Sequence, residues 1–237
     1  LNEKLPAGAV VGGAKERILF CWSGGKDSSL ALHEVQQAGR YEVAALLTTV
    51  TADYDRISMH GVRRALLHEQ AAALGVPLEE IFITKNASNA EYEARMGEAF
   101  ARFRGEGIES VAFGDIFLED LKEYRERNLA RAGMRALFPI WKRDTRELVR
   151  TFLDLGFGAV TTCIDGRVLD ASFAGRLIDD QFLADLPDGV DPCGENGEFH
   201  SFVFTGPNLS RRIPFELGEI VARDSFFFRD LVPQGHI

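Results

Sequence analysis

The most constraining stretch of this chain is residues 18–28, Ile-Leu-Phe-Cys-Trp-Ser-Gly-Gly-Lys-Asp-Ser. An apolar run stops abruptly at Ser23-Gly24-Gly25-Lys26-Asp27-Ser28, and a helical pattern begins at once. Strand, glycine turn and helix start, in that order, is how an α/β sheet presents a row of outward-facing backbone N–H groups. The first turn of a helix has unpaired donors and a partial positive charge, so it holds a phosphate without a large basic patch. Gly24 and Gly25 lack a Cβ, which permits a tight turn and close approach of a ligand. Lys26 adds a full mobile charge, Ser23, Ser28 and Ser29 add hydroxyls, and Asp27 offers a hard oxygen to a magnesium ion.

This is not the Walker loop, whose first glycine would fall at Phe20. The stretch from Gly8 to Lys15 has its last glycine separated from the lysine by Ala14, and no strand precedes it. Ser-Gly-Gly-Lys-Asp-Ser at a strand-to-helix junction instead resembles the pyrophosphate loop of the N-type ATP pyrophosphatases, the adenine nucleotide alpha hydrolases. That resemblance implies cleavage of ATP to AMP and pyrophosphate. The competing reading is a serine-glycine turn that only caps a helix.

Acidic residues outnumber basic ones, 36 against 27, for a formal charge of −9. That balance argues against nucleic acid as a partner, since broad nucleic-acid binding neutralises many phosphates. No apolar run approaches the ~20 residues of a membrane helix, and the beginning of the chain lacks a secretory layout. A cytoplasmic location with no membrane contact is the expectation. Cys21, Cys163 and Cys193 form no Cys-x-x-Cys pair, which removes the usual signature of a zinc ribbon, an iron–sulfur site or a redox pair. Cys21 reads as a small core residue.

Residues 1–16 carry no periodic pattern and are expected to be a disordered tail. Strand-like runs at 17–22, 42–49, 79–84 and 109–113 then alternate with helical segments at 27–38, 60–74, 89–104 and 118–132. The expectation is an α/β fold with a doubly wound parallel sheet, in which ligands bind beyond the carboxyl ends of the strands where the strand order reverses. Three strand ends then matter: the Ser23–Ser28 loop, Thr48-Thr49 followed by Met59-His60, and Gly114-Asp115. They are expected to converge on one crevice. Composition shifts at Phe138-Pro139-Ile140-Trp141. Beyond it come a helix at 144–155 opened by an Asp144/Glu147 capping box, a strand at 158–164, a helix near 174–186, and apolar runs at 199–204 and 219–228. We expect an ATP-binding domain over 17–135 and a smaller α+β substrate domain over 136–237 that closes over the crevice.

A second constellation, Asp191-Pro192-Cys193-Gly194-Glu195-Asn196-Gly197-Glu198-Phe199-His200-Ser201, gathers titratable groups between glycines. If Phe199 opens a strand, Glu198 and His200 share a face. A carboxylate beside an imidazole can support a proton carrier, bind ammonium or hold magnesium. The alternative is a solvated polar turn ahead of a strand. Cys193 lies beside this motif, with packing and direct function both open.

Gly-Glu-Asn-Gly-Glu-Phe-His-Ser, taken with the 23–28 loop, resembles the diphthine–ammonia ligase family of ATP pyrophosphatases. Gly114-Asp115-Ile116, Phe138-Pro139-Ile140-Trp141, Gly175-Arg176 and the Met59-His60 pair add to the resemblance, which runs from about residue 17 to 215. It implies an alpha-hydrolase (HUP) domain, ATP and Mg²⁺ as cofactors, and ATP-driven amidation of a carboxylate by ammonia. Lys26 with Gly24, Gly25 and magnesium would stabilise the departing pyrophosphate, with Asp27 as first metal ligand and Asp115 as helper. Adenine would lie near Thr48 and Met59. Glu195, Glu198 and His200 would bind ammonium and take its proton, with His60 as an alternative base. Arg125 and Arg176 are candidates to hold an anionic acceptor. Family members of eukaryotes and archaea modify a histidine derivative on elongation factor 2. Residues 117–132 resemble the bacterial branch instead, which leaves the acceptor open, as is a homodimeric assembly. Two other readings stand beside this one: a tRNA-modifying ATP pyrophosphatase, and a nucleotide-binding sensor without turnover.

Overall fold

A computed structural model describes residues 14–234. They form two compact units. The first comprises the chain through Trp22, Asp27–Asp55 and Val76–Lys142; the second comprises Ser23–Lys26, Arg56–Gly75 and the chain from Arg143 onward. The expectation for the tail lies outside the described residues up to 13, and regular structure begins at Glu16.

In the first unit the strands are β1 (Glu16–Cys21), β2 (Tyr41–Thr51) and, after the two-residue β3 (Arg56–Ile57) of the second unit, β4 (Leu78–Ile83), β5 (Ser110–Ala112) and β6 (Arg135–Leu137). Those of the first unit pair in parallel in the order β4-β2-β1-β5-β6. The helices α1 (Lys26–Gln37), α3 (Asn89–Gly105) and α4 (Glu119–Arg131) lie between them in sequence, while α2 (Arg64–Leu74) belongs to the second unit. Central strands of such a sheet are covered on both faces and read as continuous apolar runs, which is why Ile18, Leu19 and Phe20 are all fully buried. The α3 helix turns Met96, Ala99, Phe100 and Phe103 onto Leu19, Leu47, Ile108 and Val111, the spacing of one helical face. The chain winds outward from β1 through β2 to β4, then returns to the other side of β1 for β5. The order therefore reverses between β1 and β5, the point expected to matter for ligand binding.

The second unit carries an antiparallel sheet in the order β8-β7-β10-β9, from β7 (Gly158–Asp165), β8 (Phe199–Thr205), β9 (Phe215–Arg223) and β10 (Phe226–Pro233), with helices α5 (Thr145–Asp154) and α6 (Asp180–Asp185). Phenylalanines fill it: Phe152 stacks on Phe157 at 4.8 Å, and Phe182 meets Phe199 edge-on at 5.2 Å, geometries aromatic pairs favour. Asp144 caps α5 as expected, accepting from the Glu147 N–H at 3.0 Å.

Several elements differ from the sequence expectation. The run at 219–228 is two strands, because Asp224 takes a left-handed φ of 53° and folds the chain into a hairpin, a conformation Asp tolerates. The helix near 174–186 shrinks to α6, since Gly175 adopts φ 92° and Asp179 starts the helix late by accepting from the Phe182 N–H. Helix α2 begins at Arg64 rather than 60, because Arg56 of β3 and Arg63 both bind Asp230 of β10 and keep residues 58–63 out of the helix. The three-residue β6 is too short to show a pattern in sequence.

Candidate active site

The glycine loop is built against β8 and α2. Gly24, with φ 78°, turns its carbonyl toward β8 and accepts the Val203 N–H at 2.9 Å. The Gln70 side chain donates to that same carbonyl at 2.9 Å and to the Val203 carbonyl at 2.7 Å. A Cβ on Gly25 would sit 3.1 Å from the Ser201 carbonyl oxygen, so the loop's second glycine packs closely on β8. Lys26 is buried, with its backbone N–H donating to Ser201 Oγ at 3.1 Å and its ammonium to the carbonyl of Cys193. The ammonium also lies 5.5 Å from the centre of the Phe199 ring. Thus the first glycine motif and the segment from Cys193 to Ser201, far apart in sequence, meet at Lys26.

Phe199 opens β8 as the sequence suggested, with Glu198 immediately before the strand and His200 its second residue. Glu198 is buried; its Oε1 accepts from the Asp191 N–H and from Asn196, both at 3.0 Å. Its Oε2 is buried and has no hydrogen-bond partner. A buried carboxylate oxygen left unpaired is costly. Glu195 is half-buried, its own N–H held by Asp191.

His60 and His200 stack with ring centres 4.5 Å apart. Loss of solvation lowers the His200 pKa to about 4, with the Lys26 charge adding to the effect. The same loss of solvation, then His200 and Lys26, brings His60 to about 3 against a hydrogen bond to the Ser201 backbone. Both rings are neutral at pH 7, so each has a lone pair for a proton. Because both folded values lie below the ordinary histidine value of about 6.5, the unfolded chain binds protons first as pH falls. Stability present above pH 6.5 is expected to drain away as pH drops toward 4, by about 2 kcal/mol per histidine between pH 7 and 5. Urea midpoints of the wild type and of His200→Phe at the two pH values check this, the variant showing the smaller drop.

Other expected residues fall in the first unit. Gly114 lies at the end of β5 against the start of α1, where an added Cβ would come 2.9 Å from the Ser28 backbone nitrogen and Cα; only glycine permits this contact. Thr48 is buried and donates its hydroxyl to the Trp22 carbonyl at 2.6 Å, a support for the end of β1. Asp115 accepts from Arg125 through both carboxylate oxygens, at 2.5 and 3.0 Å. Burial works against the Arg125 charge, but Asp115 more than compensates and holds the guanidinium above its ordinary range. Arg125 is therefore engaged with Asp115, and Arg176 with Asp185 at 2.7 Å. Burial pushes the Cys21 thiol up to about 12, in keeping with a core residue. In the second unit, Met59 is 73% exposed with a left-handed φ of 68°.

Among the described residues no three His, Cys, Asp or Glu side chains gather to hold a metal. Magnesium usually keeps several waters and is held by one or two carboxylates plus substrate phosphates; Asp27 lies half-buried in the first turn of α1. Sequence reasoning missed Gln70 and the carbonyl of Cys193. Neither left a signal, since Gln70 is one polar residue inside an amphipathic helix and a carbonyl has no residue identity.

A parallel sheet whose order reverses beside a lysine-bearing glycine loop defines an α/β protein of the pyrophosphate-loop, HUP type. Residues 16–136 match the diphthamide synthase N-terminal domain and residues 144–228 the diphthamide synthase C-terminal domain. The chain belongs to the diphthamide synthase family. It is similar to the diphthine–ammonia ligase of Danio rerio, 26% identical over 227 residues that make up 86% of this chain and 88% of that protein. The Schizosaccharomyces pombe diphthine–ammonia ligase is 24% identical over 88% of this chain and 38% of its own length. The human one is 26% identical over 129 residues, 52% of this chain. The match spans 48% of the human protein, about half its length. Among the described residues no helix is long and apolar enough to cross a membrane.

Proposed function

We propose that this protein is an ATP-dependent, AMP-forming amide ligase that adenylates a carboxylate and transfers ammonia to it. The names of its relatives, diphthine–ammonia ligases, support the class of reaction. The observation that carries the reading is the meeting at Lys26 of the glycine loop with the Cys193–Ser201 segment. A carboxylate resists ammonia because oxide is a poor leaving group. Its attack on the α-phosphorus of ATP releases pyrophosphate and gives an acyl-adenylate; ammonia then forms the amide and displaces AMP, with one proton released. Ser23, Gly24, Gly25, Lys26 and Ser28 hold the outer phosphates, where positive charge and aimed donors stabilise the leaving pyrophosphate. Magnesium, when bound through Asp27, supplies further neutralisation of that charge. Thr48, Met59, Gly114 and Asp115 belong to the nucleotide side of the reaction.

Glu198 Oε2, buried and unpaired, suits an ammonium ion, and the neutral His200 ring passes on to water the proton that ammonium must lose before it attacks, since its lowered pKa keeps it from holding that proton. Glu195 adds negative charge nearby in sequence. In domain terms, 17–135 carries the nucleotide chemistry and 136–237 the acceptor, within a cytoplasmic enzyme. Incubation with ATP, magnesium, ammonium and a fractionated metabolite extract is expected to yield AMP and pyrophosphate in equal amounts. ADP as the product, or bound ATP left intact, would sink the reading, the second outcome in favour of a nucleotide sensor. Retention of tRNA at low salt would redirect it to a tRNA-modifying enzyme.

A further inference from the structure

The outer edge of β8 is not left bare. Its Val203 N–H donates to the Gly24 carbonyl at 2.9 Å, and its Val203 carbonyl accepts from Gln70 Nε2 at 2.7 Å. Gln70 is fully buried, and the same Nε2 donates to the Gly24 carbonyl at 2.9 Å. The two groups facing the amide are both acceptors, so its orientation is determined. Only an NH₂ group with two hydrogens serves both at once. The amide also packs closely on Gly24, where a Cβ would come 2.5 Å from Gln70 Oε1.

We infer that Gln70 is a positioning residue for the phosphate loop, fixing the Gly24–Gly25 peptide so that its N–H is aimed at the outer phosphates of a nucleotide. In a trans peptide the N–H points opposite to the C=O. Two hydrogen bonds that pull the Gly24 carbonyl toward β8 and α2 therefore turn the Gly25 N–H the other way. That N–H makes a long bond, 3.3 Å, to Ser23 Oγ, which a charged phosphate oxygen would exceed in strength. An unanchored glycine peptide would flip, since glycine populates both signs of φ, and the donor would be aimed correctly only part of the time. Gln70 removes that freedom from its place on α2.

This rests on the reading of the loop as a binder of ATP's β- and γ-phosphates, and the test separates the two ideas. ATP and AMP affinities are measured by calorimetry for the wild type, Gln70→Met and Gln70→Glu, alongside thermal midpoints. Methionine preserves the volume of the side chain and removes both hydrogen bonds; glutamate sets an oxygen against two carbonyls. The expected result is an ATP affinity at least tenfold weaker in both variants, with AMP affinity within twofold of wild type. A purely structural role for Gln70 would weaken both nucleotides together, and that result, or an unchanged ATP affinity, overturns the inference. If Gln70→Met does not fold, Gln70→Asn, one methylene short, is held to the same ratio. A wild type that binds ATP no tighter than AMP overturns the loop reading itself, and the inference with it.

Discussion

Lys26→Met is expected to lower the rate of AMP and pyrophosphate formation by about a hundred- to a thousandfold, the usual cost of removing one preorganised charge from a transition state. Methionine is chosen because the lysine stem is buried and its ammonium lies over Phe199, so alanine would add a cavity to the loss of charge. The Cys193 carbonyl loses a charge-assisted donor, which costs about 1–3 kcal/mol of stability. The variant should therefore remain folded at 25 °C with a lower thermal midpoint. Pyrophosphate release at saturating ATP is the measurement. A folded Lys26→Met protein that releases pyrophosphate at the wild-type rate would remove the loop from catalysis.

Glu198→Gln is expected to block amide formation by a hundredfold or more while leaving ATP affinity within about twofold; a loss of this size fits removal of a charge that binds the attacking species. The substitution is nearly isosteric. The amide oxygen can keep the bonds that Oε1 makes to the Asp191 N–H and Asn196. The NH₂ then occupies the position of Oε2, buried and unpaired, where it replaces an acceptor for ammonium with a competing donor. Stability should change little, since a buried charge disappears as well. Activity is followed as a function of ammonium concentration. A raised ammonium requirement with unchanged nucleotide affinity supports the assignment, and unaltered amidation at all ammonium concentrations defeats it.

Much of the fold was legible because its signals are local. The apolar runs of β1, β2 and β4, the left-handed Gly39 and Gly75, with φ 69° and 67°, and the Asp144 cap all follow from backbone sterics and short-range hydrogen bonds. Where sequence reading overshot, a single residue decided the matter against a longer apolar or helical pattern: Asp224 in the β9–β10 hairpin, Gly175 and Asp179 before α6. The site was legible as two motifs and no further. Arg125 and Arg176, free to hold an anion as far as sequence goes, are each committed to a carboxylate, Asp115 and Asp185.

The order of residues alone shows that an apolar run leads into a lysine-bearing glycine loop and that a second glycine motif carries two glutamates and a histidine. Residue type and short spacing suffice for that, because steric freedom and charge are properties of the residues themselves. What those groups touch emerges only from the folded chain. Lys26 meets a carbonyl and a hydroxyl 167 and 175 residues away, Gln70 reaches the loop from 46 residues on, and two histidines lose their ordinary basicity by stacking out of water. Solvation, orientation and partnership depend on which distant segments pack together, and no local pattern encodes them.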